Sequence, residues 1–592
     1  MSDFIYSKKK IEESKLIKEI KAIYHQDSPI VEEFHGDWGS LAVSKNLYNG
    51  FQSYESNDHI CVVIGGPVLC FQENSFLHKQ WSNEGTQAIY TRWLEGTIQW
   101  DEDLSGPFVI LIINKKTSDL YCMTDIMSFI PIYKYRDATN LMLSTHVDML
   151  AYASDTQDEV DAVSEVDFIL NGVVTYPYTT YSSVKQIQPA TVHVMLKESI
   201  DLQSKSYWRP KEEYRYKTID EASNALRSSL QNYVNSITKF ADNIAQFISG
   251  GEDSRVLSAL LPQENNQEAF VFLDQMNREG KVAEKAADIH GANFNIFTRS
   301  KMHYLEVLPP STDLVGSGSQ YTHAHTFGFH KICGLDRYSA VFGGLFSDAL
   351  LKGARIKKTR CSARFSFLPQ IKESGYSAAS PLKNSVFSYE ILLELTKRRQ
   401  NHLNYIKEFR EESAEEWFEL WPSSMNMNIP NLHANRRLFR SYEPFMSNNV
   451  VKISARVPQD WKINRRLFQR AVKPFLKPTK WLLHSDGRLP YFPWYINNVI
   501  QFIIWGYRQI GVRTGIIRGN QGPWGEWNVV MNSKEWNQAI NTYLDDTCKL
   551  FENFIKEGFT GNQLFDNRYL NKVQQINLMQ VLYGCHKRKK IK

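Results

Sequence analysis

None of the seven cysteines, Cys61, Cys70, Cys122, Cys333, Cys361, Cys548 and Cys585, stands in CxxC spacing with another. That argues against a zinc ribbon and a disulfide framework, and a reducing, cytoplasmic setting is expected. No stretch reaches the ~18 apolar residues of a membrane span. The first residues, Met1 to Tyr6 followed by Lys8, Lys9 and Lys10, lack the apolar core of a secretory leader. A soluble protein without membrane contact is therefore expected. Charge of one sign is also missing: 69 Lys and Arg stand against 64 Asp and Glu, a net +5, too little over this length for a nucleic-acid surface. The one dense basic run, His586 to Lys592, reads as a solvated tail. No Gly-Lys-Ser or Gly-Lys-Thr occurs, so there is no Walker loop, which points away from kinases and γ-phosphate-cleaving ATPases. Internal repeats and low-complexity segments are absent as well.

What is present is ordinary globular composition, 42% apolar and 22% charged, with a rich 13% of aromatic residues. A chain of 592 residues is too long for one core and calls for two or three domains. From 60 to 150 short apolar runs alternate with turns: Ile60 to Ile64 before Gly65-Gly66-Pro67, Phe108 to Ile113, Leu120 to Met123, Ile132 to Tyr135 and Leu141 to Ser144. These predict a sheet-rich domain with two packed sheets. A run from Lys9 to Ile23 reads as helix. Around 200–217 the chain turns polar and long helical periods begin, which sets a domain boundary between 205 and 206. From Ile244 the order is strand, Gly-rich turn, helix, strand (270–273), helix (281–290) and short strand (294–297), the alternation of a parallel sheet covered by helices. Past 380 helices dominate, over 388–410, 447–457, 465–475, 496–509 and 534–556. The expected fold is α+β followed by α/β.

The most informative segment is Gln246-Phe247-Ile248 followed by Ser249-Gly250-Gly251-Glu252-Asp253-Ser254 and a helix start. Two glycines let backbone N–H groups converge on one concavity, the helix N-terminus adds partial positive charge, and Ser249 and Ser254 add hydroxyl donors. Together they suit an anionic pyrophosphate. A carboxylate at Asp253 is a poor phosphate ligand by itself, so the expectation is that it carries Mg²⁺ to the phosphates.

The loop resembles the pyrophosphate loop of the asparagine synthetase family, which includes β-lactam synthetases and lasso-peptide cyclases, within the wider N-type ATP pyrophosphatases. The resemblance implies that the loop grips the β,γ-phosphates of ATP while a carboxylate attacks the α-phosphate to give an acyl-adenylate. Further on, Val341 to Gly353 resembles the family's strand followed by Gly-x-Gly-x-Asp-Glu-Leu-Phe-x-Gly, matching at Gly344, Asp348, Leu350 and Gly353. By that match Asp348 joins Asp253 on Mg²⁺ and Gly344 lies near the adenosine. Val271 and Phe272 correspond to the strand whose backbone reads adenine, and Glu279 to an acidic residue opening the next helix. The runs Arg440 to Met446 and Val457 to Ala471 also resemble family segments, with Arg465 in place of a Lys and Gln469 in place of an Arg. The family's late catalytic cation corresponds to Arg488 or Lys480, in the loop Lys480 to Pro490.

Two departures carry chemical weight. Leu345 occupies the position where the family often has a Glu or Tyr that helps the incoming amine lose its proton, and Ala349 replaces the usual Glu; neither can do acid–base work. Residues 104–144 are similar to the middle of the family's glutaminase domain, an Ntn-type sandwich whose nucleophile is a cysteine at position 2. Here residue 2 is a serine and the first cysteine is Cys61. The resemblance then implies residues 1–205 as a glutaminase-like domain without glutaminase activity, and 206–592 as an adenylating PP-loop domain with a helical C-terminal part. The expected reaction is AMP-forming amide ligation, joining a small-molecule or peptide carboxylate to an amine with ATP and Mg²⁺. Two alternatives stay open: an amidotransferase using free ammonia, and a non-catalytic nucleotide-binding protein with a regulatory or assembly role.

Overall fold

The computed structural model describes residues 3–263, 267–514, 520–544, 555–556, 559 and 561–591. Ser2, Cys548, Lys592 and part of the helix expected over 534–556 lie outside them. Among the described residues no helix is long and apolar enough to cross a membrane.

The first half holds two six-stranded antiparallel sheets. One runs Val184–Gln186, Tyr133–Arg136, Leu141–Ser144, Phe4–Ser7, Gly39–Ser44, Val31–Gly36, and the other Gln203–Ser206, Thr191–Met195, Leu120–Thr124, Phe108–Asn114, His59–Gly65, Tyr54–Glu55. Side chains alternate between faces along a strand. Accordingly Phe4, Tyr6, Leu41 and Val43 of the first sheet pack on Ile60, Val62, Val109 and Leu111 of the second. The outer faces are buried too, which is why the runs at 60–64 and 108–113 are apolar throughout rather than alternating. Ile5, Ala42 and Met142 meet Leu16 and Ile20, and Cys61, Val63, Ile110 and Ile112 meet Tyr233, Val234 and Ile237 of the helix Ile219–Thr238. The helix expected from Lys9 begins only at Lys15. Before it lies the strand Phe4–Ser7, and Ser14, left-handed at φ 68°, donates its N–H to Glu33, so the chain up to that point is tied to the sheet.

The second half is built on a five-stranded parallel sheet in the order Asn293–Thr298, Gln267–Leu273, Ile244–Phe247, Ala340–Phe342, Ser441–Tyr442. From the central strand Ile244–Phe247 the chain proceeds to one side and then crosses to the other. The strand order therefore reverses between Ile244–Phe247 and Ala340–Phe342, and a crevice opens at the carboxyl ends of those two strands. Helices expected at 388–410, 447–457 and 465–475 form over Tyr389–Lys407, Asn448–Ala455 and Arg466–Val472. The helix Trp494–Arg513 buries Asn497 and Gln501 while exposing Val499, Phe502, Ile503, Tyr507 and Ile510, the inverse of the usual distribution.

The two halves share cores and buried ion pairs, among them one cluster around Asp3. Asp3, fully buried, accepts from Arg436 at 3.0 Å and from two nitrogens of Arg437 at 2.9 Å, with Tyr24 and Thr145 as further donors. Both arginines lie on the helix Ile429–Leu438. Burial pushes the Asp3 carboxyl up, but the two guanidiniums more than reverse this and hold it well below 3.8. Removing one member of such a cluster leaves buried charge uncompensated. The variant Asp3→Ala is expected to lose about 3–5 kcal/mol, read as a lower first unfolding transition in calorimetry. Because the native pKa is depressed, this stabilisation is present above the unfolded value and lost as the pH falls through the native one; the gap between wild type and variant should narrow on acidification below pH 3.8.

Candidate functional site

The strand Ile244–Phe247 delivers Ser249-Gly250-Gly251 directly into the helix Glu252–Leu260, whose N-cap is Gly251 with no capping side chain. Helix starts leave their first N–H groups without intrahelical partners, so this one presents donors and partial positive charge at the crevice. The glycines are required by close approach. A Cβ at Gly250 would stand 2.8 Å from Ser485 Cβ and 2.9 Å from a Glu279 carboxylate oxygen, and one at Gly251 would stand 2.9 Å from Ser249 Oγ. Gly250 N–H is already engaged, donating to Glu279 at 2.6 Å, and Gly251 N–H donates to Ser249 Oγ at 3.1 Å. Ser249 N–H donates to Ser254 Oγ at 3.1 Å, and the two hydroxyls lie 3.2 Å apart.

Six residues expected from the sequence to hold nucleotide or metal, Ser249, Asp253, Ser254, Val271, Phe272 and Gly344, line a single cavity of about 280 Å³ together with Leu345. Gly250 and Gly251 shape the turn beside it. The cavity also contains Glu443, which sequence reasoning passed over. The parallel pairing of Phe342 with Tyr442 sets this carboxylate against the turn after Ala340–Phe342, where it accepts from Leu345 N–H at 2.9 Å and Ser441 Oγ at 3.2 Å. A Cβ at Gly343 would collide with it. Glu443 is 1% exposed and has no ion-pair partner among the described residues, and burial pushes its carboxyl up to about 8. No short-range signal marks it: only the strand register brings it opposite Leu345.

Asp253 and Asp348 do come together, through a third residue. Lys352 Nζ lies 2.5 and 2.6 Å from the two Asp253 oxygens, 2.9 Å from Asp348 and 3.3 Å from Glu252. A divalent ion bridging the two aspartates would need oxygens at about 2.0–2.6 Å, the space the ammonium fills. The residues present therefore do not suit a metal at that place, and among the described residues no group of three or more His, Cys, Asp or Glu is arranged to hold one. Glu252, 2% exposed, is further paired with Arg465 and lies 3.6 Å from Arg488. Burial raises its carboxyl, and Arg465, Lys352 and Arg488 more than offset this, holding it well below 4.5. Arg465 reaches Glu252 from a left-handed turn, φ 57° at Asn464 and 59° at Arg465, conformations that cost about 1–3 kcal/mol each for non-glycine residues.

The two late cations are separated. Arg488 lines a second cavity together with Glu252, Arg465 and Asn497 and is paired with Asp486 at 2.7 Å; its loop is anchored by Asn497, which bonds Leu489 and Phe492. Lys480 is exposed and lies over the Trp481 ring at 5.6 Å. Phe346 stands where the motif of the resemblance has its second glycine, and it keeps the left-handed backbone at φ 71°. Its ring is buried edge-on against Phe129 of the first half.

Replacing Glu252 by Ala leaves Lys352, Arg465 and Arg488 facing one another without their shared carboxylate. A loss of about 3–5 kcal/mol is expected, measured as a lowered melting temperature, with Glu252→Gln recovering little of it because the charge is still missing.

Residues 55–208 match a family model described as a glutamine amidotransferase domain. The chain is 22% identical over 172 residues to asparagine synthetase [glutamine-hydrolyzing] 3 of Bacillus subtilis (strain 168), a match that spans 28% of each protein. Among solved structures, a glutamine phosphoribosylpyrophosphate amidotransferase from B. subtilis complexed with ADP and GMP aligns over 50% of this chain and 65% of its own, at 10% identity and a TM-score of 0.24. A structure titled as the allosteric regulatory enzyme of purine biosynthesis aligns over 51% and 81%, at 10% identity and a TM-score of 0.24. At that level of superposition the two structures add nothing to the description of the site.

Proposed function

The chain is asparagine synthetase-like, and from that premise we propose that it is an ATP-dependent, AMP-forming amide ligase without glutaminase activity of its own. What carries the reading is one cavity at the reversal point of the parallel sheet, where the Ser249–Ser254 loop, the strand Gln267–Leu273 and the unpaired carboxylate of Glu443 converge. In the reaction a substrate carboxylate oxygen bonds to the α-phosphorus, the bond from that phosphorus to the bridging oxygen breaks, and pyrophosphate leaves. The amine nitrogen then bonds to the acyl carbon, AMP leaves with the carbonyl–oxygen bond, and the amine loses a proton.

Each residue has a task in this scheme. The helix start at Gly251 and the hydroxyls of Ser249 and Ser254 orient the pyrophosphate, an electrostatic contribution of the kind that dominates such transfers. The backbone of Val271 and Phe272 meets the adenine and Gly344 the ribose side. Arg488 stabilises charge at the phosphate end of the loop; the exposed position of Lys480 favours Arg488 over it. Glu443 accepts the amine proton, supplying from the neighbouring strand the acid–base group that Leu345 lacks. A carboxyl with a pKa of about 8 is well matched to taking up a proton near neutrality. The carboxylate is a small molecule or peptide, and the amine belongs to a substrate or is free ammonia. The burial of Asp3 between Arg436 and Arg437 at the start of Phe4–Ser7 supports reading the first half as a scaffold.

Pyrophosphate release from ATP in the presence of candidate acids tests the reading, with Asp253→Ala as the inactive control and glutamine showing no conversion to glutamate. Glu443→Gln is expected to lower kcat by about 10²–10⁴-fold with KM little changed. Since the carboxylate form of Glu443 gains population as pH rises, wild-type kcat should climb through about pH 8 and the variant's profile should be flat there. Absence of ATP binding in calorimetry would exclude this reading and the non-catalytic nucleotide-binding alternative together.

A further inference from the structure

We propose that Lys352 is a built-in cation that replaces a divalent metal ion between Asp253 and Asp348, so that the loop engages nucleotide without a metal at that pair. The proposal rests on the nucleotide reading above for its second half only; the occupation of the site by the ammonium stands on geometry.

Two carboxylates at the mouth of a phosphate site are a liability, because each repels the incoming anion. A positive charge held between them removes it. Lys352 follows the short helix Ser347–Leu351 at the i+4 position from Asp348, the spacing at which a lysine meets an acidic residue one turn earlier. Its ammonium has three N–H donors, and three carboxylates, those of Asp253, Asp348 and Glu252, lie within 3.3 Å of it. The side chain is 3% exposed and passes its charge over the Phe468 ring at 4.5 Å, so it is held in place before any ligand arrives.

The arrangement changes what the two aspartates do. Asp253 is half-buried against Lys352, and Asp348, whose side chain is 62% exposed, closes the other side. They position the lysine rather than bind a metal, while Arg465 and Arg488 serve Glu252 behind it. The segment Ser347 to Gly353 thus carries its own counter-charge.

The full-length protein tests this with two readouts. In Mn²⁺ titrations followed by electron paramagnetic resonance, wild type is expected to show no tight site, Lys352→Met to gain one, and Lys352→Met with Asp348→Asn to lose it. In calorimetry with ATP, wild-type affinity should agree within about twofold between EDTA and Mg²⁺, whereas Lys352→Met should bind at least about tenfold more weakly in EDTA and recover with Mg²⁺. A tight Mn²⁺ site in wild type that Asp348→Asn abolishes would overturn the proposal, as would wild-type ATP binding that is lost in EDTA. If ATP fails to bind under every condition, the ligase reading falls while the Mn²⁺ result still decides the role of Lys352. If Lys352→Met does not fold, the two wild-type measurements decide it alone.

Discussion

A carboxylate that opens a helix in the interior must be neutralised, and the site is organised around that need. Glu252 begins the helix behind the Ser249–Gly251 turn with 2% exposure. Its negative charge suits the helix start, but taking it out of water costs several kcal/mol unless cations surround it. Arg465, Lys352 and Arg488 do so, and each comes from a different segment. Satisfying one buried charge thereby draws the 340s motif, the left-handed turn at Asn464 and the loop after Lys480 onto the glycine turn.

The crevice holds two carboxylates in opposite environments. Asp253 is half-buried against an ammonium, whereas Glu443 is buried with only an amide N–H and a hydroxyl as partners. Titratable groups set apart in this way suit different tasks, and the proposed reaction uses one as a fixed charge and the other as a proton acceptor. In the proposed reaction, the position of Leu345 in the motif, where no acid–base group remains, is answered by a residue one strand over. The collision that a side chain at Gly343 would make with Glu443 is the steric counterpart of that exchange.

The first half contributes by packing. The outer face of its second sheet shares a core with Ile244, Ala340 and Phe342 of the parallel sheet, Phe346 inserts against Phe129, and Asp3 binds Arg436 and Arg437. Each of these contacts bears on a strand, turn or helix that also shapes the crevice. The two halves therefore hold one another in register, whatever chemistry the first half has or lacks.

The strands at 60–64 and 108–113, the alternation after Ile244 and the Ser249–Ser254 loop were legible from sequence alone. Each depends on near neighbours: an apolar run, a pair of glycines, a helix start. The spacing of Asp348 and Lys352 was equally local, but it says only that a lysine can reach back one turn, not that Asp253 stands on its other side. That contact spans 99 residues, and the one between Leu345 and Glu443 spans 98. Both exist because Ala340–Phe342 lies between Ile244–Phe247 and Ser441–Tyr442 in a parallel sheet, an order that no local pattern encodes. Composition and periodicity determined which elements form and where an anion can bind; strand order and register decided which charges meet there, since burial forces every such charge to find its partner in space rather than along the chain.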